Sequence, residues 1–549
     1  MPSQLNLVSG VRGLQKVSSC KGRNPARCHL ALLLILGGWC LCASPADAAT
    51  AYTWNNAGTG IWDTTGTNWL TNPTNPWTSG NGPSSSATFN TSGATATVSG
   101  TVYTNGITFS NTATISGGTI NLAGSSPTIL ATTSGTISSV LDGTTGLIKS
   151  GAGTLTLGGA NTFTGGINVQ AGTLRSGADN VLPDTGAITL GSGSNDATLD
   201  LNGHSDTVAS ITYGVYNVLN SANITTGAGT LTLNGNINAN DTNTFGPKSI
   251  SGNLNLGGGI RTITIGTNGN NNGWITISAL ITNGGINNTG GNYGLILSGS
   301  NTYSLGTTLN SGTLRVAVDS VGTVGSITSS AIGTGTLTLG AGGLSSNGTT
   351  PRTILNAVAF TGGSNTATTL GNVTNNGKLT FNGGISLSGA TGGHAISLSS
   401  DAEFAGVITG GGQTFSAVGT GTLILSNPGN NFTGTFGAGK AYAVSAATGG
   451  NLRWGADSVF PDGATLLLGG NGTIDLAGYS DTVGGIYLAQ SDLGQTSSIS
   501  TGAGTLTLGG NITSDSNAWG NQLISGKLDL GASTRTFGVG PVSASAQRL

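Results

Sequence analysis

The nine residues GAGTLTLGG occupy positions 151–159 and return unchanged at 502–510. Close variants stand at 227–235 (GAGTLTLNG), 333–341 (GTGTLTLGA) and 419–425 (GTGTLIL). The phrase contains no acid, base, thiol or charge, so what it repeats is shape rather than chemistry. Its Thr and Leu alternate with a period of two, the pattern of a strand with one buried face, and the flanking glycines supply turns at positive φ. Runs of the same kind, among them INVQAGTLRSG, AITLGSG and ATLDLNG, fill the chain from residue 101 onward.

Composition narrows the choice of fold. Only 7% of the 549 residues are charged, 36% are hydrophobic and the net charge is -2, which excludes a disordered chain of low hydrophobicity and high charge. Glycine, at 98 residues, costs a helix roughly 1 kcal/mol at each interior position. The single Met is Met1 and the single Glu is Glu403, so amphipathic helices lack their usual material. Short strands at close spacing, with nothing helical between them, predict an all-β solenoid rather than one globule.

A longer period overlies the short one. LRSGADNVLPD (174–184) is echoed by LRWGADSVFPD (452–462), and LDLNGHSDTVASI (199–211) by IDLAGYSDTVGGI (474–486), which marks duplication of a whole block. Between the copies, 294–322 is a third and more diverged version of 146–182.

The first fifty residues differ from the rest. Arg12, Lys16, Lys21, Arg23 and Arg27 precede the apolar run LALLLILGGWCLCA (30–43), which is followed by Ala46-Asp47-Ala48. This is the pattern of a secretory signal peptide cut after Ala48, and the run is shorter than the ~20 residues that span a bilayer. The expected organisation is a signal peptide at 1–48, a Trp-rich N-terminal cap at 49–100 and the repeat solenoid at 101–549. All four cysteines (Cys20, Cys28, Cys40, Cys42) fall in the leader, so the mature chain offers no disulfide or thiol. Without the leader, 12 Lys+Arg face 18 Asp+Glu, since five of 17 bases and one of 19 acids are removed. A net charge of -6 leaves nothing to neutralise phosphates, and nucleic acid is not an expected partner.

The series LIKSGAGTLTLGGANTFTGGINVQAGTL resembles the autotransporter-associated β-strand repeat, found in passenger regions of large secreted bacterial proteins. Stretches near 146–182, 294–322 and 414–460 carry the resemblance, and the mature start YTWNNAGTGIWDTTGTNWL is similar to the Trp-rich openings of such passengers. The resemblance implies a right-handed parallel β-helix, secreted or held at the bacterial cell surface, in a structural or adhesive role, with repeats that aid export. In such a coil Leu155 and Leu157 point inward, Thr154 and Thr156 outward, and Gly158 and Gly159 turn the corner. At the family's roughly 20 residues per coil, ~25 coils are expected. Autotransporters end in an outer-membrane barrel, whereas this sequence closes on GPVSASAQRL. The expectation is therefore a fragment of a longer reading frame or another route of anchoring, with an open C-terminal coil that invites self-association.

Parallel β-helices also carry polysaccharide-degrading enzymes, whose chemistry needs paired carboxylates or a base with a metal. The best carboxylate pairs for glycoside hydrolysis are Asp401 with Glu403 and Asp196 with Asp200; the simpler account of the former is a solvated outer face. His204 lies two residues from Asp206, yet the sister block has Tyr479 in its place while Asp481 recurs, which favours a surface role. His394 has no carboxylate near it in sequence. Calcium nonapeptides are absent, and neither metal nor cofactor is expected. Trp54, Trp62, Trp69 and Trp77 are either an end cap over the apolar bore, the favoured account, or a platform for glycan stacking. Partners would then be a surface polysaccharide or a host or neighbouring cell surface. Asn161, Asn301 and Asn431 mark turns, where Asn tolerates left-handed geometry and bonds along a ladder, and Phe163, Tyr303 and Phe432 fill the same interior corner of their coils.

Overall fold

The computed structural model describes residues 50–538 except 56–57, 66–67, 70–76, 78–84, 192–194, 215–219, 240–245, 267–272, 292–293, 363–365, 390–391, 440–448, 490–493 and 516–519. The predicted leader at 1–48 and the closing residues 539–549 lie outside that description. The chain divides into Met1–Asp47 and Ala48–Leu549, and the described strands lie in the second unit.

The described residues form strands and no helix. Each strand pairs in parallel with the equivalent strand of the next coil, which makes a β-solenoid with three walls. The first wall runs through sixteen strands, from Thr50–Thr53 to Ile408–Thr409. The second includes Gly135–Ile137, Thr154–Leu157 and Gly172–Ser176. The third begins with Thr101–Thr104, Thr119–Leu122 and Val140–Asp142. The exception to parallel pairing among named strands is a hairpin, Val321–Thr323 with Ser326–Ser329.

The repeated phrase sits where its alternation requires. Leu155 and Leu157 are fully buried and the two threonines between and before them face out. In register they stack on Gly135 and Ile137 below and on Leu174 and Ser176 above. Each buried leucine contributes about 1.5–3 kcal/mol, and the continuous ladder leaves no strand edge open inside the stack.

The third residue of G-[AT]-G-T-L is glycine for a packing reason. A Cβ there would lie 1.7 Å from the Thr133 carbonyl oxygen at Gly153, 1.8 Å from that of His204 at Gly229 and 1.8 Å from that of Tyr479 at Gly504. Coils approach so closely at this corner that no side chain fits between them.

Two expectations are corrected. Coils are not uniformly 20 residues: the step along the first wall is 20 from Ser86 to Gly106, 26 from Ile237 to Ile263 and 30 from Thr307 to Leu337, so there are fewer coils than predicted. Corner loops absorb the extra residues, as in the 321–329 hairpin. Further, equivalent phrases do not keep to one wall. Thr154–Leu157 lies on the second wall, but its counterpart Thr422–Leu425 pairs with Ala402–Phe404 on the third. Between them each coil holds three complete strands, such as Leu337–Leu339, Gly343–Ser346 and Arg352–Ile354. The second block therefore enters one wall out of phase. As a result Phe163 and Tyr303 share a corner while Phe432, equally buried, occupies the next one.

Candidate functional site

The four N-terminal tryptophans converge inside the first coils. Trp54, Trp62, Trp69 and Trp77 are each at most 2% exposed. They pack edge-to-face or tilted on one another with Tyr52 and Phe89, at centroid separations of 4.6 to 6.1 Å. Such pairs contribute about 0.5–1.5 kcal/mol beyond their buried area. None offers a ring face to solvent, so a sugar could stack on these indoles only if this end of the solenoid opened.

The carboxylates singled out from the sequence are all engaged between coils. Glu403 receives the Lys378 ammonium at 2.6 Å and the Ser426 hydroxyl at 2.5 Å, and these donors hold its carboxyl below the usual range despite partial burial. Asp401 accepts the Thr422 amide at 2.9 Å. Asp200 pairs with Arg175 at 2.8 Å, and Asp196 accepts the amide and hydroxyl of Ser221 at 2.7 and 3.2 Å. His204 stands at an exposed corner with Nδ1 3.3 Å from Asp179.

Asp206, by contrast, is buried. Its carboxylate accepts the backbone amides of Val181 and Leu182, both at 3.0 Å, and of Thr207 at 2.9 Å. Burial pushes its pKa up to about 6 against the pull of those donors. Asp481 repeats the arrangement with Phe460 at 2.9 Å and Thr482 at 2.8 Å, and gains the indole N–H of Trp454; burial again raises it to about 6. The recurrence of S-D-T-V in both blocks was the sequence signal for this corner clamp.

Asparagines clamp a second corner. Asn161 accepts the Leu141 amide at 2.8 Å and donates to the Val181 carbonyl at 2.7 Å. Asn301 accepts from Ile281 at 2.8 Å and donates to Ala331 at 2.6 Å. In the third copy Asn430, rather than the expected Asn431, takes the role, bonding Ile408 and Val459. None of these is in the left-handed region, which among non-glycines holds Asn180, Asn202, Asn283, Ser458 and Ala477. Ladder bonding across three coils, not backbone tolerance, explains their placement.

His394 lies inside the bore at 2% exposure, between the Phe360 and Phe415 rings, with Nε2 3.0 Å from the Thr368 hydroxyl. Burial lowers its pKa to about 4. A folded value below the unfolded one, near 6.5, means that its contribution is complete above pH 6.5 and is lost as pH falls toward 4. Acidification across that window is expected to destabilise the wild type by up to about 3 kcal/mol more than a His394→Gln variant, measured by denaturant midpoints at each pH.

Two lysines are also buried. Lys149 is fully enclosed and donates to the carbonyls of Gly151 and Ala171, both at 2.7 Å, and of Ser150 at 3.2 Å. Lys248 donates to the Gly246 carbonyl at 2.9 Å. Burial lowers both to about 8. Sequence reasoning missed them because a lone Lys in an apolar strand carries no local sign of its direction. Among the described residues no group of three or more His, Cys, Asp or Glu converges on a metal position.

Stacked parallel coils, internal duplication and polar corner clamps define a repeat β-solenoid. Within that class, the chain carries three passenger-associated transport repeats: the model of that family matches residues 147–175, 294–316 and 417–436. Neither a curated protein nor a solved structure matches the chain.

Proposed function

We propose that the protein is exported as an autotransporter passenger-like rod, serves a structural or adhesive role at the cell surface or outside the cell, and has no catalytic activity of its own. The observation that carries this is the coincidence of the three matched repeats with coils of the parallel solenoid, each of which stacks strand on strand against its neighbouring coils. Coils that close one after another capture chain as it emerges and draw on no cofactor. The engagement of Asp196, Asp200, Asp401 and Glu403 in bonds between coils supports the non-enzymatic part, because hydrolysis needs a carboxylate pair facing substrate. Deleting the coil spanned by residues 147–166 is expected to lower surface display several-fold while shifting the thermal midpoint by only a few degrees. Equal losses of display and stability would remove the export role.

A further inference from the structure

The three repeats contain an internal control for one arginine. Arg175, Arg315 and Arg453 follow the same leucine in L-R-S, L-R-V and L-R-W. In the first and last copies the residue in register on the next coil is an aspartate, Asp200 or Asp475, and the arginine pairs with it at 2.8 or 3.6 Å. In the middle copy that position is Ser345.

Deprived of its acid, Arg315 turns the other way. Its guanidinium carbon lies 3.7 Å from the centroid of Trp274, two coils back and about 10 Å along the stack. The intervening coil has Gly294 and Ile296 at the adjoining positions, which leaves a channel for the side chain. Trp274 is only partly buried, unlike Trp54, Trp62, Trp69, Trp77 and Trp454. Nε of Arg315 is buried with no acceptor, and no described residue accepts a hydrogen bond or ion pair from the rest of the group. The outer wall thus carries a partly desolvated cation, placed over an indole, whose remaining N–H donors are unanswered by any described residue.

We infer that Arg315 and Trp274 form a binding site for a carboxylate-bearing sugar, with the Nη1 and Nη2 donors taking the carboxylate in a two-pronged bond and the exposed part of the indole packing on the C–H face of the ring. A planar guanidinium matches a carboxylate better than any point charge, and an indole suits a pyranose face. Thr276 and Thr313, outward on the flanking positions, supply hydroxyls for the ring's own.

The test titrates the intact chain with trigalacturonate and, separately, with neutral trigalactose, following tryptophan fluorescence and calorimetric heat. Saturable binding of the acid but not the neutral sugar is expected. Arg315→Gln and Trp274→Phe should each weaken it about tenfold or more, the loss of a charged hydrogen bond or a stacked ring. Ser345→Asp restores the acid of the sister repeats and should recapture Arg315, abolishing binding without deleting either residue. Thermal midpoints of the variants establish that they are folded. No saturable response to trigalacturonate, equal binding of the neutral sugar, or full affinity in folded Arg315→Gln would each overturn the assignment. None of these outcomes depends on how the protein is exported.

Discussion

Asp206→Ala is expected to destabilise the solenoid by about 3–5 kcal/mol, since each buried donor left without an acceptor costs about 1–3 kcal/mol. Three backbone amides, those of Val181, Leu182 and Thr207, lose their acceptor at once inside a corner that water does not reach. Asp481→Ala should cost as much in the second block, where the Trp454 indole N–H is orphaned as well. Denaturant midpoints measure the loss, and hydrogen exchange should locate it at residues 179–208 or 457–483. Asp200→Ala, which removes a half-exposed ion pair, should cost less than about 1 kcal/mol. The pH dependence provides a second readout. Folded values near 6 lie above the unfolded value near 3.8, so between those limits the folded chain keeps protons that the unfolded chain releases. Stability supplied by these two groups is therefore greatest below pH 3.8 and is lost as pH rises through 6, opposite in sign to the effect of His394. Asp206→Ala with Asp481→Ala should remove this limb while the opposite one due to His394 persists, and a titration that keeps the carboxylate limb would contradict the burial of these groups.

The second large effect concerns the motif glycine. Gly229→Ala places a methyl group 1.8 Å from the His204 carbonyl oxygen, and both partners are backbone, so the coils themselves must part. A cost of about 3 kcal/mol or more is expected, at the upper end for overpacking. Gly504→Ala meets the Tyr479 carbonyl at the same distance and should behave alike. Gly463→Ala is the control: nothing lies within 4 Å and φ is not positive, so it should be neutral or stabilising by a few tenths of a kcal/mol. Calorimetric midpoints of the three variants would settle the comparison, and a harmless Gly229→Ala would mean that the coils are further apart than described.

Much of the fold was legible in advance because it depends on neighbours in sequence. The alternation in TLTL requires no knowledge of what lies above or below, and Leu155 and Leu157 are inside as their spacing demands. The duplicated S-D-T-V was legible as a conserved aspartate beside a variable His or Tyr, although its burial was not. Asn430 was missed in favour of Asn431 because two adjacent asparagines offer the same local chemistry; only the positions of Ile408 and Val459 decide between them. The tryptophan cluster likewise left two accounts open until the ring packing was seen.

Strand, turn and inward face follow from the sequence alone, since a period of two and a glycine at each corner act over four or five residues. The wall on which each phrase lies was decided by the tertiary structure. Coil length varies, with steps of 20, 26 and 30 residues among those along the first wall, through loops of Gly, Asn and Ser that carry no periodic signal, so angular phase accumulates where the sequence pattern is silent. Register with the next coil, in turn, decides what meets each arginine: Arg175 and Arg453 face Asp200 and Asp475 although they lie on different walls, while Arg315, level with Ser345, turns to a tryptophan.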